Sequence, residues 1–399
     1  MSKLLRDLAD VYYGKSPNEV ISDESVIPII GTGGVYGRAT RAMYQGPAVV
    51  VPRKGSLGNP QFIGEPFWAA DTTYAVLPKP KVDAKWLYYS LAAFDLTKLN
   101  EATGVPSINR DWLYRIKLGS DEFDGQRRIA EVLSTVDEAI EQTEALTAKY
   151  QQIKTGLMHD LFTRGVTPDG QLRPTYKQAP HLYKESPLGW IPKEWGLVPI
   201  GNLAESVADG PFGSNLKTEH YVIEPGVRVV RLQNVQDGQY NDSDRAFIAE
   251  SHANFLARNQ VIPGDVLIAG LGEDNNVVGR ACCYPEGFPT AINKADCFRL
   301  RCISLLALNR FVMYFLNTFT ARYQVRRFEQ GVTRRRINTG NLKRVCVALP
   351  SKSEQVRIVS ILDNAVRKTE ATTEYQAKLR QQKHGLMQDL LSGRVKVEV

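Results

Sequence analysis

The chain has 399 residues, of which 43% are hydrophobic and 23% charged, proportions typical of a soluble protein of two or three globular domains. Its net charge of +7 suggests nucleic acid as a partner, and the lack of any apolar run near the roughly 20 residues of a membrane span leads us to expect no membrane association. Five cysteines, an odd number confined to Cys282–Cys346, argue against a disulfide framework and favour a reducing cytoplasm.

Residues 1–120 predict a mixed α+β domain. Short β-like runs such as Ala48–Pro52 are separated by glycine-rich turns, and one apolar helix follows at Trp86–Leu96. The glycine-rich segment Ile30–Arg38 has three interpretations: a cofactor-binding loop, a loop that lets DNA approach the backbone closely, or a plain tight turn. A cofactor loop should open a helix, and VYGRAT is a poor start for one, so we expect no cofactor.

Residues 121–166 predict one long helix, because apolar residues recur at a spacing of three or four from Ile129 to Leu161 and proline is absent. Residues 167–195 form a proline-rich linker, in which we expect Trp190 and Trp195 to anchor the chain as it enters the next domain.

Residues 196–350 predict a second α+β domain, with β-like runs such as Val227–Leu232 and Val261–Ala269 and an apolar helix at Leu305–Phe319. Residues 351–399 predict a second long helix without proline.

The chain contains an internal duplication at a constant offset of 229 residues. GLMHDLF, from Gly156, matches GLMQDLL, from Gly385, and about 20 of the 59 positions in 108–166 are identical to their partners. The period is too long for a solenoid, so we expect two similar halves. The predicted fold is α+β, with two variable domains joined by two long helices that form an antiparallel coiled coil in a pseudo-twofold arrangement.

The sequence carries no motif for catalysis. An Asn/Asp-Pro-Pro-Tyr/Phe methyltransferase motif and a P-loop are both missing. Four cysteines suggest a zinc site at first sight, but adjacent cysteines rarely suit tetrahedral ligation, so buried thiols are favoured and no metal is expected. These cysteines are Cys282, Cys283, Cys297 and Cys302.

Positive charge is concentrated in 322–344, which has eight basic residues against one acidic residue. Flexible cations release condensed counterions from DNA, so we interpret the segment as a phosphate-binding surface; the alternative is a solvated basic face. The basic residues are Arg322, Arg326, Arg327, Arg334, Arg335, Arg336, Lys343 and Arg344.

Loop residues with amide, hydroxyl or guanidinium groups are the candidates for reading bases, and a structural role in a turn is the alternative for each of them. In the first domain they are Thr32, Tyr36, Arg38, Arg41, Arg53, Lys54, Ser56 and Asn59. In the second domain they are Ser214, Asn215, Lys217, Arg231, Gln233, Asn234, Glu273, Asp274, Asn275 and Asn276.

Several segments resemble the specificity subunits of type I restriction-modification systems. They are SPLGWIPKEWGLVPIGNLAE at 186–205, DGPFGSNLK at 209–217, GDVLIAGLG at 264–272, INTGNLKRVCVALPSKSEQVRIVSILD at 337–363 and KHGLMQDLLSGRV at 383–395. Together with the two-half layout they cover most of the chain. The first half departs from the pattern, because it lacks the GWIPKEW entry and its domain is shorter.

The resemblance implies two target-recognition domains, each reading one half of a bipartite, non-palindromic site in double-stranded DNA. It also implies two modification (methyltransferase) subunits docked on the helices, added restriction (translocase and nuclease) subunits, and a chain that is itself non-catalytic and lies at the nucleoid of a prokaryotic cytoplasm. Two domains that each enter a major groove lead us to expect half-sites about one helical turn apart, near 34–36 Å.

On the helices we expect the apolar stripe to dock the modification subunits. The candidates are Ile129, Leu133, Leu157, Ile358, Leu362 and Leu386. Two other functions are alternatives: an interaction scaffold that binds protein and not DNA, and a standalone methyltransferase or nuclease, which the missing motifs disfavour.

Overall fold

The structure, a computed structural model, describes residues 2–119 and 121–397. It divides into two compact units. Unit 1 comprises the residues up to Thr147 together with those from Ala371 onwards, and unit 2 comprises Ala148–Glu370. This division falls within the long helices, so the domain boundaries expected from the sequence remain predictions.

Unit 1 consists of short strands and four helices. The strands are β1 (Ser2–Leu4), β2 (Ala9–Tyr13), β3 (Ile27–Gly31), β4 (Gly34–Ala39), β5 (Ala48–Pro52), β6 (Gln61–Ile63), β7 (Trp68–Ala69), β8 (Thr73–Pro78) and β9 (Lys117–Gly119). The helices are α1 (Leu5–Leu8), α2 (Ala84–Ala93), α3 (Arg110–Tyr114) and α4 (Phe123–Thr163), which continues into unit 2. The sheets have the orders β2-β8-β5-β6 and β4-β3-β7, and β1 pairs with β9.

Unit 2 has more strands. They are β10 (Tyr183–Ser186), β11 (Gly189–Pro192), β12 (Gly196–Pro199), β13 (Ala204–Ala208), β14 (Tyr221–Val222), β15 (Val227–Val230), β16 (Phe247–Ile248), β17 (Gln260–Val261), β18 (Val266–Ala269), β19 (Leu271–Gly272), β20 (Ala281–Cys283), β21 (Ala291–Asn293), β22 (Cys297–Cys302), β23 (Arg335–Arg336) and β24 (Cys346–Leu349). The helices are α5 (Ile200–Leu203), α6 (Glu250–Phe255), α7 (Asn309–Leu316), α8 (Phe319–Arg326), α9 (Thr339–Lys343) and α10 (Lys352–Leu391), which continues into unit 1.

The two units share one topology. The antiparallel order β13-β22-β18-β20 of unit 2 corresponds to β2-β8-β5-β6 of unit 1. Each unit also has a second sheet with one parallel pair, β3 with β7 and β15 with β21. The apolar helix, α2 or α7, packs on the four-stranded sheet. The duplication therefore extends into the variable domains, where sequence identity is no longer visible.

One close backbone approach recurs after the first strand of the four-stranded sheet. A Cβ atom on Gly14 would lie 1.9 Å from the carbonyl oxygen of Ala70, and a Cβ atom on Gly210 would lie 1.9 Å from the carbonyl carbon of Lys294. Both neighbours are backbone atoms that cannot rotate away, so only glycine fits at either position. The short sequences VYYG and VADG thus carry the same structural requirement.

The elements expected from the sequence are present, with shifted ends. Strand β5 has the bounds predicted, whereas α2 begins two residues before the predicted run and ends three residues before its end, and α7 is shorter than the run that contains it. The predicted strand Val261–Ala269 is two strands, β17 and β18, because the chain turns between them at Gly264, whose φ of +83° suits glycine.

The two long helices extend over 41 and 40 residues. The apolar stripe is buried in both units, and the polar residues that interrupt it are satisfied within the helix. The Thr143 hydroxyl donates to the Ala139 carbonyl at 2.7 Å, and the Thr147 hydroxyl donates to the Thr143 carbonyl at 2.8 Å. A buried hydroxyl bonded to the preceding turn carries no unsatisfied donor, so threonine fits inside the helix pair.

Helices α4 and α10 pack on each other in antiparallel directions. In unit 1, Arg380 Nη2 lies 2.6 Å from Glu144 Oε1, and Lys383 Nζ lies 2.6 Å from Asp137 Oδ1. The numbers rise along α10 as they fall along α4. In unit 2, the Lys368 ammonium lies 6.0 Å from the centroid of the Tyr150 ring. The packing of the two helices is confirmed, and knobs-into-holes coiled-coil geometry remains a prediction.

A buried glutamine occupies the same place on each long helix. Gln126 Oε1 accepts a hydrogen bond from the Asp83 amide at 2.9 Å, and Gln355 Oε1 accepts one from the Leu308 amide at 2.9 Å. Their side-chain amides donate to the carbonyls of Asp121 and Pro350, respectively. Asp83 and Leu308 directly precede α2 and α7, so each glutamine fastens its apolar helix to the start of a long helix.

Trp195 is a buried anchor just before β12, where the sequence predicts that the second α+β domain begins. This residue is 1% exposed, and its Nε1 donates to Glu354 Oε2 at 3.2 Å. Glu354 also accepts from the Val166 amide at 2.9 Å and pairs with Arg173. Trp190 stays at the surface, stacked on another aromatic ring, so only one of the two tryptophans is a buried anchor.

Candidate nucleic-acid interface

In unit 2, two segments distant in sequence form one polar surface. Beyond β18 the chain continues into β19, which pairs with β23 so that Leu271 lies opposite Arg336. This pairing places the loop 273–276, with its predicted readers, beside the basic segment 334–336. Arg335 Nη2 donates to Asp274 Oδ1 at 2.9 Å across the gap. The structure thus brings together two sets of candidates that the sequence presents separately.

A cleft of about 460 Å³ opens at this junction, lined by the predicted residues Gln233, Asn276 and Arg334 and also by Gln236, Asn241 and Arg280. Arg280 is 6% exposed, and it donates to the carbonyls of Val235 at 2.8 Å and Asn276 at 2.9 Å. Burial lowers the pKa of Arg280. Arg280 joins the two walls of the cleft, because it bonds a carbonyl on each. The sequence does not single it out, since a lone arginine before an apolar strand has no distinguishing pattern.

The basic segment 322–344 divides into paired and unpaired cations. The paired ones are Arg322 with Asp237, Arg335 with Asp274 and Arg336 with Asp296. Arg326, Arg327 and Arg334 are exposed, and they form no ion pair with any residue in 2–119 or 121–397. Arg322 is largely buried, so its role is structural. Lys343 and Arg344 are likewise exposed and outside every ion pair formed by residues 2–119 and 121–397, and with the three unpaired arginines they are the cations available to a polyanion.

The segment with Ser214, Asn215 and Lys217 is linked to this surface through two carboxylates. Arg336 Nη2 binds Asp296 Oδ2 at 2.8 Å, and Asp209 Oδ1 accepts from the Asp296 amide at 3.0 Å. Asp209 begins the loop that leads to the three candidates, all of which are exposed. Burial raises the pKa of Asp209 to about 6.

Two candidates of unit 2 are occupied inside the fold. Asn234 is fully buried, and its Nδ2 donates to the carbonyls of Asn241 and Asp244, both at 2.8 Å. Arg231 is half-buried and pairs with the Asp244 carboxylate. The prediction that Asn234 reads bases is therefore wrong, because its polar atoms are inaccessible and already bonded, and Arg231 is held by its ion pair. Gln233, between them, is exposed.

The loop after β5 is the equivalent of this surface in unit 1. Lys54 pairs with Ser107 just as Leu271 pairs with Arg336 in unit 2, so residues 54–59 correspond to 271–276. Lys54, Ser56 and Asn59 are exposed. Arg53 is half-buried: its Nη1 donates to the Asp71 carbonyl at 3.1 Å, and its guanidinium lies 5.0 Å from the Tyr13 ring centroid.

The remaining candidates of unit 1 lie on or beside the β3–β4 hairpin: Thr32, Tyr36, Arg38 and Arg41. Partial burial and, secondarily, the charge of Asp71 raise the pKa of Tyr36, so the hairpin comes close to the residue that Arg53 contacts. Thr32 and Gly33 form the turn between the two strands, and Gly31 and Gly34 are paired at the strand ends beside it. Because a strand and not a helix follows them, the cofactor-loop interpretation is wrong and the tight turn is confirmed; close approach to DNA stays a prediction.

The cysteines are free thiols, and Cys282, Cys297 and Cys302 are buried as predicted, whereas Cys283 is half-buried. Burial raises the pKa of Cys297 to about 12. Among residues 2–119 and 121–397, no group of three His, Cys, Asp or Glu residues is placed to hold a metal ion. Within the same ranges, no helix is both long and apolar enough to cross a bilayer.

The apolar residues expected to dock modification subunits are used in the units' own cores. Leu133, Ile358 and Leu362 are fully buried and Ile129 nearly so. Leu157 and Leu386 are half-buried against the same cores. A buried stripe leaves no surface for a partner, so charges introduced at Leu133 or Leu362 are expected to disrupt folding. Exposed apolar residues on α4 and α10 are instead Val132, Leu146, Ile153, Val356 and Tyr375.

Residues 1–152 and 192–381 each match the family described as the type I restriction modification DNA specificity domain. The chain belongs to the family of type I restriction-modification specificity subunits. The two matches agree with the two units of shared topology, each of which contains most of one matched segment.

Relatives of this specificity subunit span most of its length. The type I restriction enzyme MjaVIII specificity subunit of Methanocaldococcus jannaschii is 23% identical over 359 residues, which cover 86% of this chain and 78% of the relative. The crystal structure of a type I S subunit from M. genitalium covers 98% of this chain and 96% of its own, with 16% identity and a TM-score of 0.64. A chain from a structure of type I R-M complex assembly and conformational transition gives 16% identity, coverages of 98% and 97%, and a TM-score of 0.56. These structural likenesses establish a common fold.

Proposed function

We propose that the chain reads a bipartite site in double-stranded DNA, that each unit contacts one half-site, and that the chain supplies no catalytic group. The observation that carries the proposal is the equivalence of loops 54–59 and 271–276. They follow the equivalent strands β5 and β18 in the two units, and they present different side chains. Two units of the same topology with dissimilar loops suit two half-sites of different sequence. The DNA site is therefore non-palindromic, with an unspecified spacer between its halves.

The chemistry of the unit 2 surface supports base reading. The amides of Gln233 and Asn276 can bond the N6 and N7 edge of adenine, and the exposed guanidinium of Arg334 can bond guanine or phosphate. Arg326 and Arg327 are free to neutralise phosphates, which fix the protein on the duplex without carrying sequence information. In unit 1 the polar groups of Lys54, Ser56 and Asn59 take the corresponding position.

The helix pair supplies the partner surface in this proposal. We assign the docking of two modification subunits, and through them the restriction subunits, to exposed apolar residues of α4 and α10: Leu146, Ile153, Val356 and Tyr375, each 41–56% exposed. The same helices set the separation of the half-sites at about one helical turn, near 34–36 Å. We place the assembled complex at the nucleoid of a prokaryotic cytoplasm.

The test is the methylation pattern that the chain directs. The chain is co-expressed with a type I modification subunit, and the methylated adenines of the host genome are sequenced. We expect two defined blocks separated by a gap of constant length. Alanine at Asn275 and Asn276 should alter one block only, and alanine at Ser56 and Asn59 the other. A contiguous or palindromic motif would overturn the proposal, and subunit binding without any sequence preference would favour a protein-binding scaffold.

A further inference from the structure

Unit 2 presents an apolar side chain at the tip of the hairpin that adjoins its polar loop. Two backbone hydrogen bonds of 2.9 Å between Gln330 and Arg336 close this hairpin, residues 330–336. Gly331 adopts a φ of +93°, and a Cβ there would lie 2.5 Å from the carbonyl oxygen of Arg334, so the turn is tight and only glycine fits. Val332 follows it and is 90% exposed.

Unit 1 repeats the arrangement in the segment 101–107. The Glu101 amide donates to the Ser107 carbonyl at 3.3 Å, and the Asn100 side chain accepts from the Ser107 amide at 2.9 Å, which closes the turn. Val105, again directly after a glycine, is 69% exposed. The two segments precede the same asparagine-capped helix, α3 or α9. An exposed valine thus lies in the equivalent turn of two otherwise dissimilar units, although not at the same position of it, because Val105 is the equivalent of Arg334 in the alignment of Ser107 with Arg336.

Folding does not account for these valines, because a side chain that is mostly exposed buries little apolar surface. Their neighbours indicate a nucleic-acid partner. Strand β23 of the unit 2 hairpin pairs with β19, which leads into the loop 273–276, so tip and loop belong to one surface. Arg334, two residues beyond Val332, is exposed and outside every ion pair formed by residues 2–119 and 121–397.

We infer that Val332 and Val105 enter a DNA groove and make apolar contacts with the bases, so that each unit reads its half-site with an apolar tip as well as with a polar loop. This inference rests on the proposed function. Two base features offer that chemistry: the methyl group of thymine in the major groove, and a partly unstacked base step in the minor groove. In both cases a closed turn presents the side chain with little loss of conformational freedom on binding.

The experiment is selection from a library of random-sequence duplexes by the full chain in complex with a modification subunit. Val332→Ser should weaken binding about ten-fold and erase the preference at one or two positions of one half-site. Val105→Ser should do the same in the other half-site. The dependence of affinity on salt should not change, because no cation is removed. Val26→Ser and Ile223→Ser are controls, since these exposed apolar residues lie outside both hairpins.

The outcomes separate this inference from the proposed function. If the unaltered complex enriches no sequence, the proposed function fails first. If it enriches a bipartite sequence that both serine variants enrich with equal affinity, the inference is overturned and the proposed function stands. If either variant loses the modification subunit with its sequence preference intact, the tip binds protein and the inference is likewise overturned. Replacing thymine by uracil at an affected position then distinguishes a methyl contact from an unstacked step.

Discussion

Unit 1 combines its four-stranded sheet with the small sheet β4-β3-β7, whereas unit 2 combines the same four-stranded order with the larger sheet β14-β16-β15-β21-β17. Both second sheets contain one parallel pair, β3 with β7 and β15 with β21, and unit 2 adds β14 and β17 at the two edges. The common features are backbone approaches and buried polar bonds, and the differing ones are exposed loops and sheet edges. This contrast indicates that the shared sheets and helices can be altered separately from the exposed loops. A substitution can therefore be made in one of them while the stability or DNA binding that depends on the other is measured.

The largest expected effect on stability comes from the two glycines that follow the first strand of each four-stranded sheet. Gly210→Ala and Gly14→Ala each force a Cβ to within 1.9 Å of backbone atoms. The clash can be removed only if a strand moves. Each substitution should therefore lower the free energy of unfolding of its own unit by more than about 3 kcal/mol. Urea-dependent proteolysis, with fragments assigned to each unit by mass spectrometry, measures the two units separately.

The matched controls lie on the long helices. Gly156→Ala and Gly385→Ala are equivalent in the repeat and meet no atom within 4 Å, so they should stabilise the helix by about 0.5–1 kcal/mol. Equal stability of the Gly210→Ala, Gly14→Ala and unaltered proteins would show that the close approach is not a shared constraint.

The buried glutamines give the next effect. Gln355→Leu and Gln126→Leu remove the acceptor for the amide before α7 or α2 and leave that amide unsatisfied, which should cost about 1–3 kcal/mol in either unit. Gln151→Leu, at an exposed helix position, is the control and should change stability by less than about 0.5 kcal/mol. A decrease in the free energy of unfolding of one unit only would mean that the two glutamines, although equivalent in position, contribute unequally to stability.

The two units are expected to differ in how their stability depends on pH. Asp209, with its pKa raised to about 6, occupies the position that Tyr13 occupies in unit 1. A carboxyl whose folded-state pKa exceeds its ordinary value of about 3.9 favours the protonated folded state. The free energy of unfolding of unit 2 should therefore fall as the pH rises from about 4 to about 6 and stay lower above that range.

Asp209→Asn removes this titration. The variant should gain on the order of 1–2 kcal/mol in unit 2 at pH 7.5 and nothing at pH 4, while unit 1 is unchanged at both values. The same proteolysis assay at the two pH values measures it. A gain of equal size at both pH values would assign the effect to packing rather than to ionisation.

The sequence predicts the helical half of this fold well because its information is local and repeated. The stripe from Ile129 to Leu161 and its copy identify α4 and α10. Whether the stripe is buried in the cores of the units depends on tertiary packing, however. Periodicity alone cannot distinguish a residue that packs internally from one that contacts a partner protein. Periodicity therefore predicts docking at Leu133 and Leu362, and their complete burial in the cores speaks against it.

The reading surface is predicted only in part, for a similar reason. Exposed polar loop residues such as Asn275 and Ser56 are recognisable by type. Asn234 has the same type yet is fully buried, because its amide satisfies three backbone groups of a neighbouring turn. The adjacency of the loop 273–276 and Arg334 follows from the pairing of β19 with β23, two-residue strands 64 positions apart that no local pattern indicates.

The smallest expected effect concerns charge on the unit 2 surface. Arg334→Ala removes an unpaired, exposed cation, so affinity for a 40-base-pair duplex should fall about five-fold and the slope of log affinity against log salt should decrease by about one. Arg335→Ala should change the slope less, because Arg335 is already paired with Asp274. Arg245→Ala, at an exposed arginine paired with Asp242, is the control. Fluorescence anisotropy between 50 and 200 mM salt measures all three variants. A slope for Arg334→Ala equal to that of the control would exclude Arg334 from the DNA contact.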